Sequence, residues 1–243
     1  MKIKTCFLIL LFSSSLCAQE KQDSSKLKNK FNKVQIGINF SPDQCYRTLK
    51  SENPDSTILG ILKQREAFEI PCLGFTAGVN FRYALTKILA IEMGLQIANK
   101  RFQTNDFAVI GGSFPIMPSS ALYIYNHYYA EVPLLLNAVL GTNKLKISAD
   151  LGIITGFFLH YTNTYDVFDP NGKLTEQKTK TYSGFNSLNF SPTVSLGLSY
   201  DFNKRSGISL EPTYRYGLVK IKKAPVHEYL WSIGLNIGYH IQL

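Results

Sequence analysis

"EYLWSIGLNIGYHIQL", residues 228–243, closes the chain with an unbroken alternation. Trp231, Ile233, Leu235, Ile237, Tyr239, Ile241 and Leu243 alternate with Ser232, Gly234, Asn236, Gly238, His240 and Gln242. Successive side chains of a strand point to opposite faces. One face of this strand is therefore oily and the other small or polar. The fold depends on whether other segments repeat the pattern, and on which face meets solvent.

Seven further segments repeat it: residues 34–40, 73–83, 89–97, 128–140, 145–161, 190–202 and 208–218. Three connections are tight and polar, at 85–87, 141–144 and 203–206. The other four are longer: about 30 residues from Ser41, about 25 from Arg101, about 25 from Thr162 and about 8 from Val219. Short and long connections alternate, and both chain ends fall on the short side. This is the plan of an eight-stranded antiparallel up-and-down transmembrane β-barrel, with short periplasmic turns and longer extracellular loops.

A water-soluble barrel would bury its apolar set and show Lys and Glu outside. Here the opposing set is small or polar, as in Gly74, Thr76, Gly78, Asn80 and Arg82, or Ser191, Thr193, Ser195, Gly197 and Ser199. Small residues suit the inside of a narrow tube, so the apolar set faces lipid. Arg82, Glu92, Glu131, Asp150, Glu211 and Arg215 fall on the inner set with both signs. Unpaired charges there would cost several kcal/mol, which predicts a polar network of ion pairs and hydrogen bonds across the lumen. Tyr83, Phe102, Tyr123, Tyr125, Tyr161, Tyr200 and Phe202 gather toward strand ends, where aromatic girdles belong. Eight strands enclose a lumen that side chains nearly fill, which argues against a general diffusion pore.

The 243 residues suffice for one large all-β domain. A mean hydropathy of −0.04 excludes a bundle of membrane helices. The net charge of +9 lies partly in Lys2, Lys4 and the stretch from Lys21 to Lys33. The basic residues do not cluster on one helix and form no recognisable nucleic-acid module, so nucleic acid is not an expected partner.

Residues 1–18 have a basic start, a short apolar run and a small-residue exit, the pattern of a secretory signal peptide. Residues 19–33 read as a polar periplasmic leader, and residues 34–243 as the barrel. Leu16 before Cys17 fits a lipidation site poorly. Once the signal is removed, Cys45 and Cys72 remain. An even pair in an exported protein forms a disulfide or stays as two thiols.

"YAEVPLLL", residues 129–136, the glycine-bearing "ADLGIITGFFLHY" and "SLEPTYRYGL" carry a family signature. Together they resemble the outer-membrane β-barrel domain proteins of Bacteroidota often described as PorT-like. The resemblance spans roughly residues 34–243. It implies an integral outer-membrane barrel, and the best-known relatives take part in type IX protein secretion. A non-enzymatic anchor or accessory subunit of an envelope or secretion complex is the function it implies. The alternatives are a lipid-modifying enzyme and a narrow channel for small solutes.

Chemistry has thin support. None of His127, His160, His227 and His240 precedes a Ser by two positions, as a lipid A deacylase would need. His127 and His160 could approach each other across their strands, or could be interfacial polar residues. His240 reads as a hydrogen-bonded lumen residue. No metal or cofactor spacing is present. "GGSFP", residues 111–115, reads as a loop turn, and "FDPNGK", residues 168–173, as a hairpin tip. "STILGILKQREAFE" in the first long loop could form a short amphipathic helix or an irregular loop.

In the final strand, Asn236, Gly238, Ile241 and Leu243 are similar to the C-terminal β-signal read by the outer-membrane assembly machinery. The expected partners are thus outer-membrane lipid, that machinery during biogenesis, and an envelope protein complex.

Overall fold

The computed structural model describes residues 33–52, 55–105, 107–109, 119–141, 144–168, 174–203 and 205–243. The expected signal peptide, nearly all of the leader, the "GGSFP" turn and the tip of "FDPNGK" lie outside the described residues. The elements, in chain order, are β1 (Val34–Lys50), α1 (Ser56–Phe68), β2 (Glu69–Ala84), β3 (Leu89–Thr104), β4 (Phe107–Val109), β5 (Ser119–Leu140), β6 (Leu145–Phe168), β7 (Leu174–Thr181), β8 (Leu188–Asp201), β9 (Ser206–Tyr216) and β10 (His227–Gln242). Eight of the strands close into an antiparallel ring in the order β5-β3-β2-β1-β10-β9-β8-β6, with β6 pairing back onto β5. The first and last strands form the seam, from Gln35 opposite Gln242 to Lys50 opposite His227. The two remaining strands are short: β4 pairs with the start of β5, and β7 with the far end of β6.

The faces divide as the alternation requires. Ile38, Leu95, Leu151 and Leu196 are 60–67% exposed, whereas Ser41, Thr76, Asn137 and Ser232 are 0% exposed. This inverts the pattern of a water-soluble protein and leaves a continuous apolar band around the ring. At one end of the band, Tyr83, Tyr200 and Phe202 face outward, as a girdle should. At the other end, Phe102 is 2% exposed and turns inward. There the expected girdle residues Phe102, Tyr125 and Tyr161 line the inside of the mouth instead.

The short connections are held by local bonds. In the β2–β3 turn, Thr86 Oγ1 accepts from the amides of Ile88 and Leu89. In the β8–β9 turn, Asn203 Oδ1 accepts from the amides of Arg205 and Ser206. Gly141, at the end of β5, has φ of +123°, a conformation that side-chain-bearing residues rarely adopt.

The ring strands run from 11 residues in β9 to 24 in β6. A strand needs only about 9–11 residues to cross a bilayer. The excess lies at the loop end, beyond the apolar segments of the sequence. There β1 continues to Lys50, β3 to Thr104 and β6 to Phe168, and β5 begins at Ser119. The outer face of these extensions has no lipid to meet, so the apolar alternation lapses while the backbone pairing continues.

A helix does form in the first long loop. Asp55 caps it by accepting from the Ile58 amide at 2.7 Å. No helical residue is buried, so the expected amphipathic face is absent. The helix is held at its last turn instead, through Arg65.

Candidate functional site

From the turn end to the loop end, the inside of the ring is layered. Lowest are Lys146, whose Nζ lies 2.6 Å from Asp201, and His240, 3.3 Å from the same carboxylate. His240 is thus a hydrogen-bonded lumen residue. Next, Arg82 reaches Glu92 at 2.5 Å through one guanidinium nitrogen and at 2.9 Å through Nε, and Asn80 donates to Glu92. Beside them Asp150 accepts from Asn137 and, at 2.5 Å, from the Ser195 hydroxyl. Glu211 accepts from Asn236, which also accepts from Asn39. Higher up, Glu131 meets Lys100 at 2.6 Å and Gln96 at 2.9 Å. Arg215 meets Asp43 at 2.8 Å, and Asp43 also accepts from Ser41 and Thr76.

The six charges singled out in the sequence therefore all face the lumen, but only Arg82 and Glu92 pair with each other. Glu131 and Arg215 take partners that the sequence reading missed, Lys100 and Asp43. Asp150 and Glu211 take neutral donors. Two cavities within these layers measure about 30 Å³ and 10 Å³, room for a water or so.

Above the polar layers sits a small apolar core inside the ring. Phe102, Tyr129, Ile221 and Leu230 are buried together, with Tyr46, Tyr125, Phe158 and Phe185 against them. Over this lies a charged clasp. Glu69 takes Arg47 at 2.7 Å and Arg65 at 2.6 Å, and Arg65 also takes Glu228 at 2.9 Å. Arg47 further donates to the Arg65 carbonyl, and Tyr46 to that of Glu69. Burial alone would lower the Arg65 pKa; hydrogen bonds and the charges of Glu69 and Glu228 outweigh it and raise that pKa above the ordinary value. The clasp ties α1 to β1, β2 and β10.

Between clasp and core is a cavity of about 210 Å³. Its walls are Phe102, Tyr125, His127, Tyr161 and Phe185, and its rim carries Arg65, Glu69, Lys222 and Glu228. His127 is 2% exposed and packs among rings, 5.0 Å from Tyr161 and 5.7 Å from Phe185 between centroids. His160 does not join it; it stacks on Tyr128 at 4.4 Å. The expected approach of the two histidines fails because neighbouring positions of paired strands send them to different surroundings.

Cys45 and Cys72 are opposite residues of β1 and β2, yet both thiols are free. Of the two outcomes left open, the structure holds two thiols: Cys45 donates toward the Asp43 and Asn99 carbonyls and Cys72 toward the Gln103 side chain, so the sulfurs turn to different neighbours. Of the C-terminal residues, Ile241 and Leu243 face outward, 43% and 65% exposed. Asn236 and Gly238 face the lumen, where a Cβ on Gly238 would lie 2.5 Å from Ser209 Oγ.

The sequence matches the family model of the outer membrane protein beta-barrel domain over residues 17–223. The chain belongs to that family. It is an outer-membrane β-barrel, so the turn end is periplasmic and the loop end extracellular. Among solved structures it is similar to Neisserial surface protein A at 12% identity, over 86% of this chain and 97% of that one, with a TM-score of 0.43. It is similar to the outer membrane protease OmpT from Escherichia coli at 7% identity, over 90% and 99%, with a TM-score of 0.44. It is also similar to the outer membrane protein OprG from Pseudomonas aeruginosa at 13% identity, over 87% and 97%, with a TM-score of 0.39. Comparison with curated proteins returns no match.

Proposed function

We propose that this barrel is a non-enzymatic membrane anchor that serves an envelope or secretion complex through its extracellular end, as an accessory subunit. Its resemblance to the PorT-like barrels of Bacteroidota, in "YAEVPLLL" and the strands around it, supports placing it beside proteins of that kind. The single observation that carries this function is the filled lumen. The lower layers hold paired side chains around cavities of about 30 and 10 Å³, which disfavours transport as the task. The mouth, by contrast, is organised: α1 is clasped by Arg47, Arg65, Glu69 and Glu228 into a defined surface. His127 packs against the rings of Phe102, Tyr161 and Phe185.

Outer-membrane lipid covers the outer band in this account, and the assembly machinery reads the end of β10. Isolation of the tagged barrel from its native envelope in mild detergent tests the role. A protein retained in stoichiometric amount, and lost when α1 is replaced by a short polar linker, is the expected result. Recovery of the barrel alone, with an altered lipid A profile in a deletion strain, would overturn it in favour of an enzyme.

A further inference from the structure

The outer face of the ring changes character where the apolar band ends on the extracellular side. On β5, Leu140, Leu136 and Leu134 face lipid, 48–62% exposed. Twelve positions separate Leu140 from Tyr128. A rise of about 3.3 Å per residue on a strand tilted by about 40° sets Tyr128 about 30 Å up the wall, at the upper edge of the band. His127 and Tyr129 point inward, so Tyr128 points outward. Its ring stacks on His160 at 4.4 Å, and His160 lies 6.0 Å from the ring of Tyr182, which is 67% exposed. Directly paired residues share a face of a sheet, so the register carries this surface upward. Lys100 and Phe102 face the interior, which turns Arg101 between them outward. Arg101 is opposite Asn126, Asn126 opposite Thr162, and Thr162 opposite Lys180. One row thus crosses four strands with a cation at either end, about 14 Å apart along the sheet at about 4.8 Å per strand. Lys178, opposite Thr164, adds a second cation beside Lys180, whose Nζ lies 5.1 Å from the Tyr182 ring. Among the described residues none of these three cations has an ion-pair partner. The carboxylates of this strand pair, Asp166 and Glu176, lie opposite each other two positions farther out.

We propose that this face docks one molecule of lipid A, the outer-leaflet glycolipid whose disaccharide carries a phosphate at each end. Aromatic rings at the edge of an apolar band, with uncompensated cations just above them, suit an anionic headgroup. The acyl chains lie on the apolar band below, continuous with the lipid that covers the ring. One phosphate meets the terminal nitrogens of Arg101 and the other meets Lys178 and Lys180. The disaccharide spans the row between them, with one sugar beside the exposed ring of Tyr182. A phospholipid has a single bridging phosphate and no disaccharide, so it engages only one end of the row. The face lies on the outside of the wall, apart from the mouth and its clasp, and the inference does not rest on the anchoring role.

Native mass spectrometry of the full chain, folded in detergent and titrated with diphosphoryl lipid A, tests this, with monophosphoryl lipid A and phosphatidylglycerol as comparators. Heat-modifiable gel migration verifies that each variant is folded. Wild type should retain one diphosphoryl lipid A saturably, and should bind the monophosphoryl form about fivefold more weakly. Arg101→Gln should erase that preference for the second phosphate, and so should Lys178→Gln combined with Lys180→Gln. Lys87→Gln, in the periplasmic β2–β3 turn, should leave it unchanged. No saturable binding up to about 100 μM, equal retention of phosphatidylglycerol, an equal loss in Lys87→Gln, or wild-type affinities in both patch variants would overturn the inference. Loss of a captured envelope protein from the Lys178→Gln, Lys180→Gln variant, with its lipid A affinity unchanged, would also overturn it and give the face to that protein.

Discussion

Asp43 on β1 and Arg215 on β9 form an ion pair at 2.8 Å, although β10 runs between their strands. Both side chains are nearly inaccessible, 3% and 4% exposed. The pair spans 172 positions of sequence and braces the ring across its seam strand.

Breaking it should be costly. Asp43→Ala leaves the Arg215 guanidinium buried without its anion, a loss of about 3–5 kcal/mol for a buried pair. The expected result is a large fall in the urea midpoint of the barrel in detergent. Removing both charges, as Asp43→Leu with Arg215→Leu, should recover part of that loss. An unchanged midpoint in the single variant would show that the pair contributes nothing.

The bridge passes over Gly234, which lies opposite Asp43 on one side and Thr213 on the other. A Cβ there would collide with the Asp43 carboxylate and come within 2.5 Å of Ser41 Oγ. Gly234→Leu should therefore destabilise the barrel at least as much as Asp43→Ala. Combined with Asp43→Ala, it should add less than its separate effect, because the same bridge is already lost. Full additivity of the two unfolding free energies would contradict this geometry.

Arg65 is the main tie between α1 and the ring. Arg65→Gln should free the helix while the ring stays intact, because Glu69 keeps Arg47 as a partner. Hydrogen exchange of the 56–68 amides should speed up strongly, with the β1 and β10 amides unchanged below the mouth. Unaltered protection of the helix would mean that something other than the clasp holds it.

At the C-terminus two effects need separating. The Leu243 amide donates to the Val34 carbonyl at 3.0 Å, so removing Leu243 also loosens the seam. Leu243→Phe retains that bond and restores the residue that usually ends a β-signal. If residues 236–243 are read as an address, deleting Leu243 should lower the amount assembled in cells more than the yield refolded into liposomes. The Phe variant should assemble at least as well as wild type. Equal losses in cells and in liposomes would assign the effect to stability alone.

The ring itself was legible in the sequence, because lipid on one side and a narrow lumen on the other impose strict alternation on all eight strands. The six inner charges were legible for the same reason. The charged partners of Glu131 and Arg215, Lys100 and Asp43, were not, because they lie where the oily phase stops. Continuing the inner phase of β1 past Gly37 and Asn39 leads through Ser41 to Asp43, Cys45 and Arg47. That extrapolation would have found half of the brace and one of the four charged residues of the clasp. The strand β7, "LTEQKTKT", carries no apolar period at all, since both its faces lie outside the membrane. The mouth cavity was the least legible feature. Its walls come from strands, a helix and loops, brought together only by closure of the ring.

The filled lumen is the centre of this account, and single-channel recording across a planar bilayer addresses it most directly. The refolded barrel should insert and show no steady conductance. Replacing the Arg82, Glu92 and Glu211 side chains with Ala should open a small one, because these groups occupy the lower lumen. A stable ohmic conductance in the wild-type protein would contradict the account and make the chain a channel.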